Sequence, residues 1–439
     1  MSAKVATIRP ESFEEKVIWH CIVWTYGYYV LGALYVLGPV IGWMLIARQA
    51  RATGLAGIPL AIHVWVAGML SMLLALIVAH ADFNLGLGPM LKSAVGWAKG
   101  WALLPLFMIV GCAQVRLEVL ARAASILGIQ TICILPVVGL AWAIGLPGQL
   151  YISPVSIIGG PGPEYFAVEL YGISPDSGMP RWRLFAPWAP AIGMVMCVYF
   201  FLIMNEREAR IRALGLLGTF LAILASSSRL GLLCIPIVAS ATWLLLNIGR
   251  PVVLLVASPV ALITGLVMDQ LLLIYEQAMS GFHGARADSS RVRATLGRIA
   301  LERWESEAVL WGHGAVERGP HLVEYMPIGS HHTWFGLLFV KGLVGVVSLV
   351  VPLTWTLCVL IRHGNKTNEL RTALRILVLI FLYTFAENLE ILSYLYWPGL
   401  VVIGMALKQT AKFKKEDALV RPSSTDLSLD ESGNEFTSR

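Results

Sequence analysis

The stretch GSHHTWFGLLFVKGLVG, residues 329–345, joins a polar segment to a long apolar run. Residues 275–332, which end inside this stretch, contain six arginines and no lysine, and five of the chain's nine histidines lie at 283–332. An arginine guanidinium offers a planar set of donors that matches two phosphate oxygens at once, whereas lysine is a single hydrated charge. The bias predicts a loop that binds phosphate or carboxylate groups. Seven acidic residues at 276–324 leave open a solvated loop with charges neutralised in pairs.

The composition predicts a membrane protein with many spans. The mean hydropathy is +0.72, 57% of the residues are apolar and only 14% are charged. A soluble domain of this length would need far more polar surface. The formal net charge of +6 is spread over many loops and fits lipid headgroups better than nucleic acid, for which no basic module is visible. The six cysteines lie in apolar stretches without metal-ligand spacing.

Apolar runs predict an all-α transmembrane bundle of about eleven spans, within a range of about ten to twelve. A polar leader (1–16) precedes this bundle domain (17–407), and a polar tail (408–439) is predicted to be disordered and cytoplasmic. Pro39 lies in the first run, which predicts one tilted or kinked span. The runs cover residues 17–46, 55–79, 101–114, 123–146, 188–204, 211–225, 230–248, 251–274, 334–361 and, as two spans, 376–407.

Two segments, 147–187 and 275–332, are too polar to span and are predicted to form long extracytoplasmic loops. Basic turns fall on one side when the spans alternate, and that side is cytoplasmic by the positive-inside rule. Eleven spans would place the amino terminus outside. An even number with both termini inside would require an additional span, or a run at 17–46 that does not cross simply.

Arginines near the outer membrane edge are candidate ligands of a lipid pyrophosphate. Arg229 follows three serines at the end of the predicted span 211–225. Arg181 and Arg183 lie just before the predicted span 188–204, on the same face of the membrane. Phosphates of a lipid lie at headgroup height, where such a cluster would meet them. Lys92 would add charge at this level. Interfacial anchoring by a snorkelling side chain is the alternative for Arg229 and for Lys92.

Residues 289–312 predict an amphipathic helix, because Val292, Leu296 and Ile299 fall on one face. This helix would lie on the membrane surface and present Arg291 and Arg298 inward, or it would be a soluble cap. The following sequence Gly312-His313-Gly314 permits a close backbone approach.

Histidine and glutamate supply the candidates for proton transfer. His331 is suited to removing a proton from a hydroxyl group, with helix capping or a surface position as the alternative. His313 and His332 are further candidates. Glu387 is a candidate proton carrier or acceptor-positioning group, with an interfacial position as the alternative. The histidines lack the spacing of a metal site, so no metal or other cofactor is expected.

Three motifs together resemble the O-antigen ligase and polysaccharide polymerase superfamily of bacterial integral membrane glycosyltransferases. His331 and His332 precede Gly342 with the spacing of the superfamily's closing motif, although His332 stands where asparagine is usual. Ser228-Arg229 matches its Ser-Arg pair at the outer end of a span. Arg291 followed by Gly312-His313-Gly314 matches its loop arginine and Gly-x-Gly.

This resemblance implies a GT-C-like fold and an active site on the periplasmic face of the inner membrane. It implies a donor glycan on undecaprenyl pyrophosphate, arginines on the leaving group and an acceptor hydroxyl activated by His331. The transfer would invert the anomeric centre without a metal.

Two enzymatic functions fit the resemblance, and the departure at His332 favours the first. A polymerase would join lipid-linked repeat units into an exopolysaccharide, capsule or O-antigen chain, alongside membrane lipid, a flippase and a chain-length regulator. A ligase would move a finished chain onto lipid A-core. A transporter or flippase is the remaining alternative, for which internal repeats and broken helices would be expected.

Overall fold

The computed structural model describes residues 8–52, 54, 57–174, 178–270, 272–273 and 287–420. The chain is mostly helical, as the apolar runs predict. The start of the second long loop, with His283, lies outside the described residues, as do residue 274 at the end of the predicted eighth span and the tail from 421 onward.

Within the described residues, seven helices precede the first long loop. This loop forms two small antiparallel sheets, in which β1 (Gln149–Ile152) pairs with β2 (Ala167–Glu169), and β3 (Gly172–Ile173) pairs with β4 (Pro180–Arg181). A short 3-10 helix, Pro154–Ile158, lies between β1 and β2. The seven helices are α1 (Phe13–Val23), α2 (Thr25–Val30), α3 (Leu34–Ala52), α4 (Leu60–Asp82), α5 (Leu87–Lys99), α6 (Leu103–Gly111) and α7 (Leu117–Ala143).

The described part of the second half continues the helical bundle. The amphipathic helix predicted at 289–312 is confirmed as α12, although it ends earlier than predicted. The last helix continues to Val420, beyond residue 408, where the polar tail was predicted to begin. These helices are α8 (Ala189–Ile203), α9 (Ala209–Ala225), α10 (Arg229–Asn247), α11 (Pro251–Leu266), α12 (Ala287–Glu307), α13 (Thr333–His363), α14 (Asn368–Tyr383) and α15 (Leu389–Val420).

Six helical stretches in the described residues are long and apolar enough to cross a membrane, which indicates a membrane protein. Four of them confirm the runs predicted at 55–79, 123–146, 230–248 and 334–361. The count of eleven spans stays a prediction. The six stretches are Leu60–Asp82, Leu87–Gly111, Leu117–Ala143, Arg229–Asn247, Thr333–His363 and Leu389–Phe413.

The predicted single span at 17–46 is wrong, because this run folds back on itself. Glu14 at the start of α1 forms an ion pair of 3.4 Å with Arg48 near the end of α3. At the opposite end, the hydroxyl of Ser153 in the first long loop donates a hydrogen bond of 2.8 Å to the backbone oxygen of Leu31. The chain reverses between α2 and α3 at Gly32, whose φ of 64° suits glycine.

The hairpin also corrects the expected side of the amino terminus. Glu15 of α1 accepts a hydrogen bond of 2.8 Å from the Nε of Arg116, which lies in the basic turn between the predicted runs 101–114 and 123–146. The amino-terminal segment therefore lies with the basic turns, not opposite them. Hydropathy could not show the reversal, because the turn at Leu31 and Gly32 contains no polar residue.

The third predicted span, 101–114, is also shorter than expected. The helix within it is α6, which has nine residues and follows α5 after a break at Gly100 (φ −120°, ψ −91°). Every residue of α6 is buried. It packs on α15 so closely that a Cβ at Gly111 would lie 2.0 Å from the backbone oxygen of Val401. Small residues allow helix backbones to approach in this way inside membranes.

A break at Gly342 divides α13, and a loop segment fills it. Gly342 has φ 60° and ψ −159°, outside the helical region. Four helical backbone groups at the break bond instead to residues 309–314. The N–H groups of His313 and Gly314 donate to the backbone oxygens of Phe339 and Val340 at 2.8 and 2.9 Å, and those of Leu343 and Val344 donate to the backbone oxygens of Val309 and Leu310 at 3.0 and 3.2 Å. The broken helix therefore leaves these four groups satisfied within the protein.

A buried ion pair fixes the turn between α8 and α9 to α7. Arg122 donates two hydrogen bonds to Glu206, of 2.7 and 2.9 Å, and the Glu206 side chain is fully buried. Burial raises the pKa of Glu206, but the hydrogen bonds and charge of Arg122, together with backbone hydrogen bonds from Glu208 and Arg207, give a net lowering of the pKa. This ion pair links the helices on the side of the bundle opposite the long loops.

Candidate functional site

A buried carboxylate lies where α14 and α15 are joined. Glu387 is only 1% exposed, and the indole Nε1 of Trp188 donates a hydrogen bond of 2.9 Å to its Oε2. Burial raises the pKa of Glu387 to about 7, although Arg293, Trp188 and Arg181 favour the charged form. At neutral pH this carboxyl group is therefore close to half-protonated.

His331 lies just before α13, and the start of that helix is tied to the Glu387 connection. The hydroxyl of Thr333 donates to the backbone oxygen of Glu387 at 2.6 Å and accepts from the N–H of Leu389 at 3.1 Å. The N–H of Thr333 donates to the backbone oxygen of Thr384 at 2.9 Å. These bonds hold the segment of His331 against the connection that contains the buried carboxylate.

Arg293 links the two titratable groups electrostatically. Burial and the charge of Arg293 together lower the pKa of His331 to about 4. The same guanidinium favours the charged form of Glu387. Arg293 therefore lies within electrostatic range of both side chains. At pH 7 the histidine is neutral, which leaves one ring nitrogen able to accept a hydrogen bond.

His332 is the N-cap of α13. Its Nδ1 accepts a hydrogen bond of 3.4 Å from the N–H of Phe335, and its ring stacks on that of Phe335 with centroids 4.1 Å apart. Asparagine is also a favoured N-cap residue. Capping gives His332 a structural role.

Arg181 contacts the serine corner at the end of α9, as the sequence suggested. Its Nε donates a hydrogen bond of 3.0 Å to the backbone oxygen of Ser226. Ser228 caps α10 by accepting a hydrogen bond from the N–H of Gly231 at 3.2 Å. Arg229 is the first residue of α10, and its side chain is exposed. Arg181 thus joins the corner of Arg229 to the surroundings of Glu387.

A third contact connects the serine corner to the same place. A Cβ added at Gly193 would lie 2.4 Å from the Oγ of Ser228 and 3.6 Å from the Oη of Tyr383. Tyr383 ends α14, four residues before Glu387. The corner, the aromatic residue and the carboxylate therefore occupy one end of the bundle.

Four other predicted residues lie in different settings. Arg183 forms an ion pair with Glu169 and donates a hydrogen bond of 2.6 Å to the backbone oxygen of Pro187, so it stabilises the first long loop. Arg291 and Arg298 are both exposed on α12, and Arg298 pairs with Glu302 at 3.9 Å. Lys92 is exposed on α5. No contact in the described residues brings Arg183, Arg298 or Lys92 to Glu387.

His313 belongs to the clamp, the segment 309–314 that bonds to the backbone of α13 at the break near Gly342. Its ring is 2% exposed and lies between those of Phe339 and Phe83, with centroids 4.3 and 5.2 Å away. Its Nδ1 and Nε2 lie 2.9 Å from the backbone oxygen of Phe339 and 2.8 Å from Glu307. This histidine therefore has a structural position, and the predicted close backbone approach at Gly312 and Gly314 is confirmed.

Sequence reasoning missed two members of the site. Arg293 lies two residues from Arg291, the arginine that the motif match selects, and helical positions two residues apart point about 200° apart. Trp188 was assigned only as the start of an apolar run. Its position next to the arginine-bearing first loop was the available signal.

The site combines a carboxylate with a raised pKa, a neutral histidine and two arginines. Such a set can accept a proton and stabilise an anionic group beside it. Among the described residues, no three His, Cys, Asp or Glu side chains are grouped as a metal ion would require. No protein-family model matches the chain, and no curated protein matches it either.

Proposed function

We propose that this chain is an integral membrane glycosyltransferase of the O-antigen ligase-like type, with a GT-C-like bundle, in a bacterial inner membrane. It joins oligosaccharide repeat units carried on undecaprenyl pyrophosphate into a longer polysaccharide at the periplasmic face. The observation that supports this most is a buried carboxylate, Glu387, on which the charges of Arg293 and Arg181 act and whose connection holds the segment of His331 at one end of a helical bundle.

The proposed reaction is a displacement at the anomeric carbon of the donor sugar. An acceptor hydroxyl oxygen forms the new bond to this carbon, and the bond from the carbon to the pyrophosphate oxygen breaks with its electron pair. The pyrophosphate leaves with added negative charge, which Arg293 and Arg181 stabilise. The acceptor oxygen gives up its proton to a base of the protein.

The pKa values support Glu387 as this base, in place of His331. A proton acceptor works best with a pKa near the operating pH. The pKa of Glu387 is raised to about 7, whereas that of His331 is lowered to about 4. We therefore assign His331 to positioning, with its neutral ring accepting a hydrogen bond from the acceptor sugar.

The broken helix α13 gives little support to a transporter function. Transporters use the freed backbone groups of broken helices to bind ions and substrates. At Gly342 these four groups are bonded to residues 309–314. These four groups are therefore not available to an ion.

The test is glycan profiling in a strain that lacks this protein and is complemented with single variants at matched abundance. We expect Glu387→Gln to lower polymer formation by about 100-fold or more, the size of a lost general base. Arg293→Ala should lower it by about 10-fold or more. Arg298→Ala, on the same helix but paired with Glu302 in the solvent, is the matched control and should retain wild-type polymer.

The accumulated intermediate identifies the reaction. Single repeat units on the lipid carrier support a polymerase, whereas long lipid-linked chains that do not reach lipid A-core indicate a ligase. Normal glycans from both Glu387→Gln and Arg293→Ala would refute the proposed site.

A further inference from the structure

The helix α5 presents an apolar stripe that no other described part of the protein covers. Leu87, Leu91 and Val95 are spaced four residues apart and share one face of the helix. Their exposed fractions are 68%, 58% and 54%, and no residue of α5 is buried. Lys92 is exposed beside the stripe. This is the pattern of a helix that lies in a membrane interface.

The first long loop presents a second apolar surface. Ile157 and Ile158, at the end of the 3-10 helix Pro154–Ile158, are 89% and 65% exposed. Every residue of β1 is also exposed, including Leu150. From the sequence this loop was predicted to be extracytoplasmic and too polar to span. Adjacent exposed isoleucines at a loop tip favour an apolar environment over water.

Contacts hold the apolar surfaces of α5 and of the first long loop side by side. Lys99 at the end of α5 donates a hydrogen bond of 3.5 Å to the backbone oxygen of Gly159, the residue after Ile158. The indole of Trp97 donates to the backbone oxygen of Met69 at 2.9 Å and so holds α5 against α4. The two surfaces are therefore joined to each other and to a membrane-crossing helix.

Exposed apolar residues also occur on the crossing helices that adjoin these two surfaces in sequence. Leu140 of α7 and Ile144, just after this helix, are 61% and 64% exposed and precede β1. Ile77 of α4 is 43% exposed and precedes α5. The apolar surfaces of α5 and the loop therefore adjoin helices that also expose apolar side chains.

From this arrangement we infer that α5 and the Ile157–Ile158 tip are embedded in the phospholipid leaflet on the side of the candidate site. The helix lies in the plane of the interface, with the Leu91 stripe among the acyl chains and Lys92 at the height of the lipid phosphates. The stretch Leu87–Gly111 is apolar enough to cross, but it consists of two helices that meet at Gly100. The nine residues of α6 span about 14 Å, less than half of a bilayer core.

This inference concerns the membrane and holds whichever reaction the protein catalyses. It changes the route by which a lipid-borne ligand reaches Glu387, because the leaflet then extends beneath the first loop.

Spin-label accessibility tests the inference. The full chain carries Ser at the exposed Cys133 and Cys358, and one nitroxide at Ile157→Cys, Leu91→Cys or Lys92→Cys. It is reconstituted in vesicles of phosphatidylethanolamine and phosphatidylglycerol. Collisions with oxygen, which concentrates in lipid, are compared with collisions with a water-soluble nickel chelate. Leu150→Cys on β1 is the second loop position should Ile157→Cys fail to fold.

We expect labels at Ile157 and Leu91 to collide mainly with oxygen, and the label at Lys92 to shift towards the nickel chelate. Nickel collisions at Ile157 and Leu91 equal to those at Lys92 would place both in water and overturn the inference. Low collision rates with both reagents would mean that another protein surface, such as a second copy of this chain, covers them, and this would also overturn it.

Discussion

Replacing Gly342 by alanine should destabilise the bundle by breaking the clamp at α13. A Cβ at this position would lie 2.4 Å from the backbone oxygen of Leu310 and 2.6 Å from the backbone nitrogen of Gly312. Its φ of 60° and ψ of −159° lie in a region that costs a non-glycine residue about 1–3 kcal/mol. Relief of the clash by moving residues 309–314 would lose at least two of the four backbone hydrogen bonds, at about 1 kcal/mol each. The sum is about 4 kcal/mol.

Thermal unfolding of the purified protein in detergent, followed by intrinsic fluorescence, measures this loss. At roughly 2 °C per kcal/mol for a large domain, the melting temperature should fall by roughly 8 °C. Gly139→Ala is the matched control, because it lies inside α7 with nothing within 4 Å of an added Cβ. It should raise stability slightly, by about 0.5–1 kcal/mol.

A second glycine of the clamp tests the reasoning further. Gly312 has φ 71°, and a Cβ there would lie 2.4 Å from the backbone nitrogen of Lys341. Gly312→Ala should lower the melting temperature as Gly342→Ala does, and the double variant should lose little more, since both act on one contact. A Gly342→Ala protein with the same melting temperature as the wild type would refute the stabilising role of the clamp.

Three further predictions concern the buried charges and the helix cap. The pKa of Glu387 is raised from 4.5 to about 7, so the folded state binds a proton that the unfolded state has lost, and stability falls as the pH rises from 4.5 to 7. Glu387→Gln should remove this decline in urea titrations. An unchanged pH profile of the variant would contradict the raised pKa. Glu206→Gln should cost about 3 kcal/mol in the same titrations, because it leaves Arg122 partly unpaired and only 12% exposed, whereas Glu118→Gln, in the exposed pair with Arg207, should cost less than about 1 kcal/mol. His332→Asn should preserve the cap of α13 and the melting temperature, while His332→Ala should lose about 1 kcal/mol, and equal melting of the two variants would argue against capping.

Sequence periodicity predicted much of the bundle because lipid imposes long apolar helices with few exceptions. The bounds of α13 and of α9 lie within two residues of the predicted runs. The amphipathic pattern was also sufficient to predict the buried face of α12, since Val292 and Leu296 are buried against Val323 and Phe339.

The hairpin at 17–46 was missed for a physical reason. Hydropathy averages over about a helix length and cannot detect a reversal at Gly32 that has apolar residues on both sides. The reversal depends on partners distant in sequence, Ser153 at the turn and Arg48 at the open end.

The candidate site was predicted in its parts but not in its geometry. Arg181, His331 and Glu387 lie in one region, as the sequence reasoning allowed. Arg183 does not join them because its charge is neutralised by Glu169. Arg293 was not singled out from the sequence, although its charge acts on both His331 and Glu387.

The most direct test of the proposed site is the binding of undecaprenyl pyrophosphate to the purified wild type, Arg293→Ala and Arg298→Ala, with phosphate-free undecaprenol as the reference lipid. The proposal predicts that the wild type prefers the pyrophosphate, that Arg293→Ala weakens its binding by about 10-fold or more, and that Arg298→Ala changes it by less than about twofold. Equal binding of both lipids by the wild type, or equal effects of the two arginine variants, would contradict it.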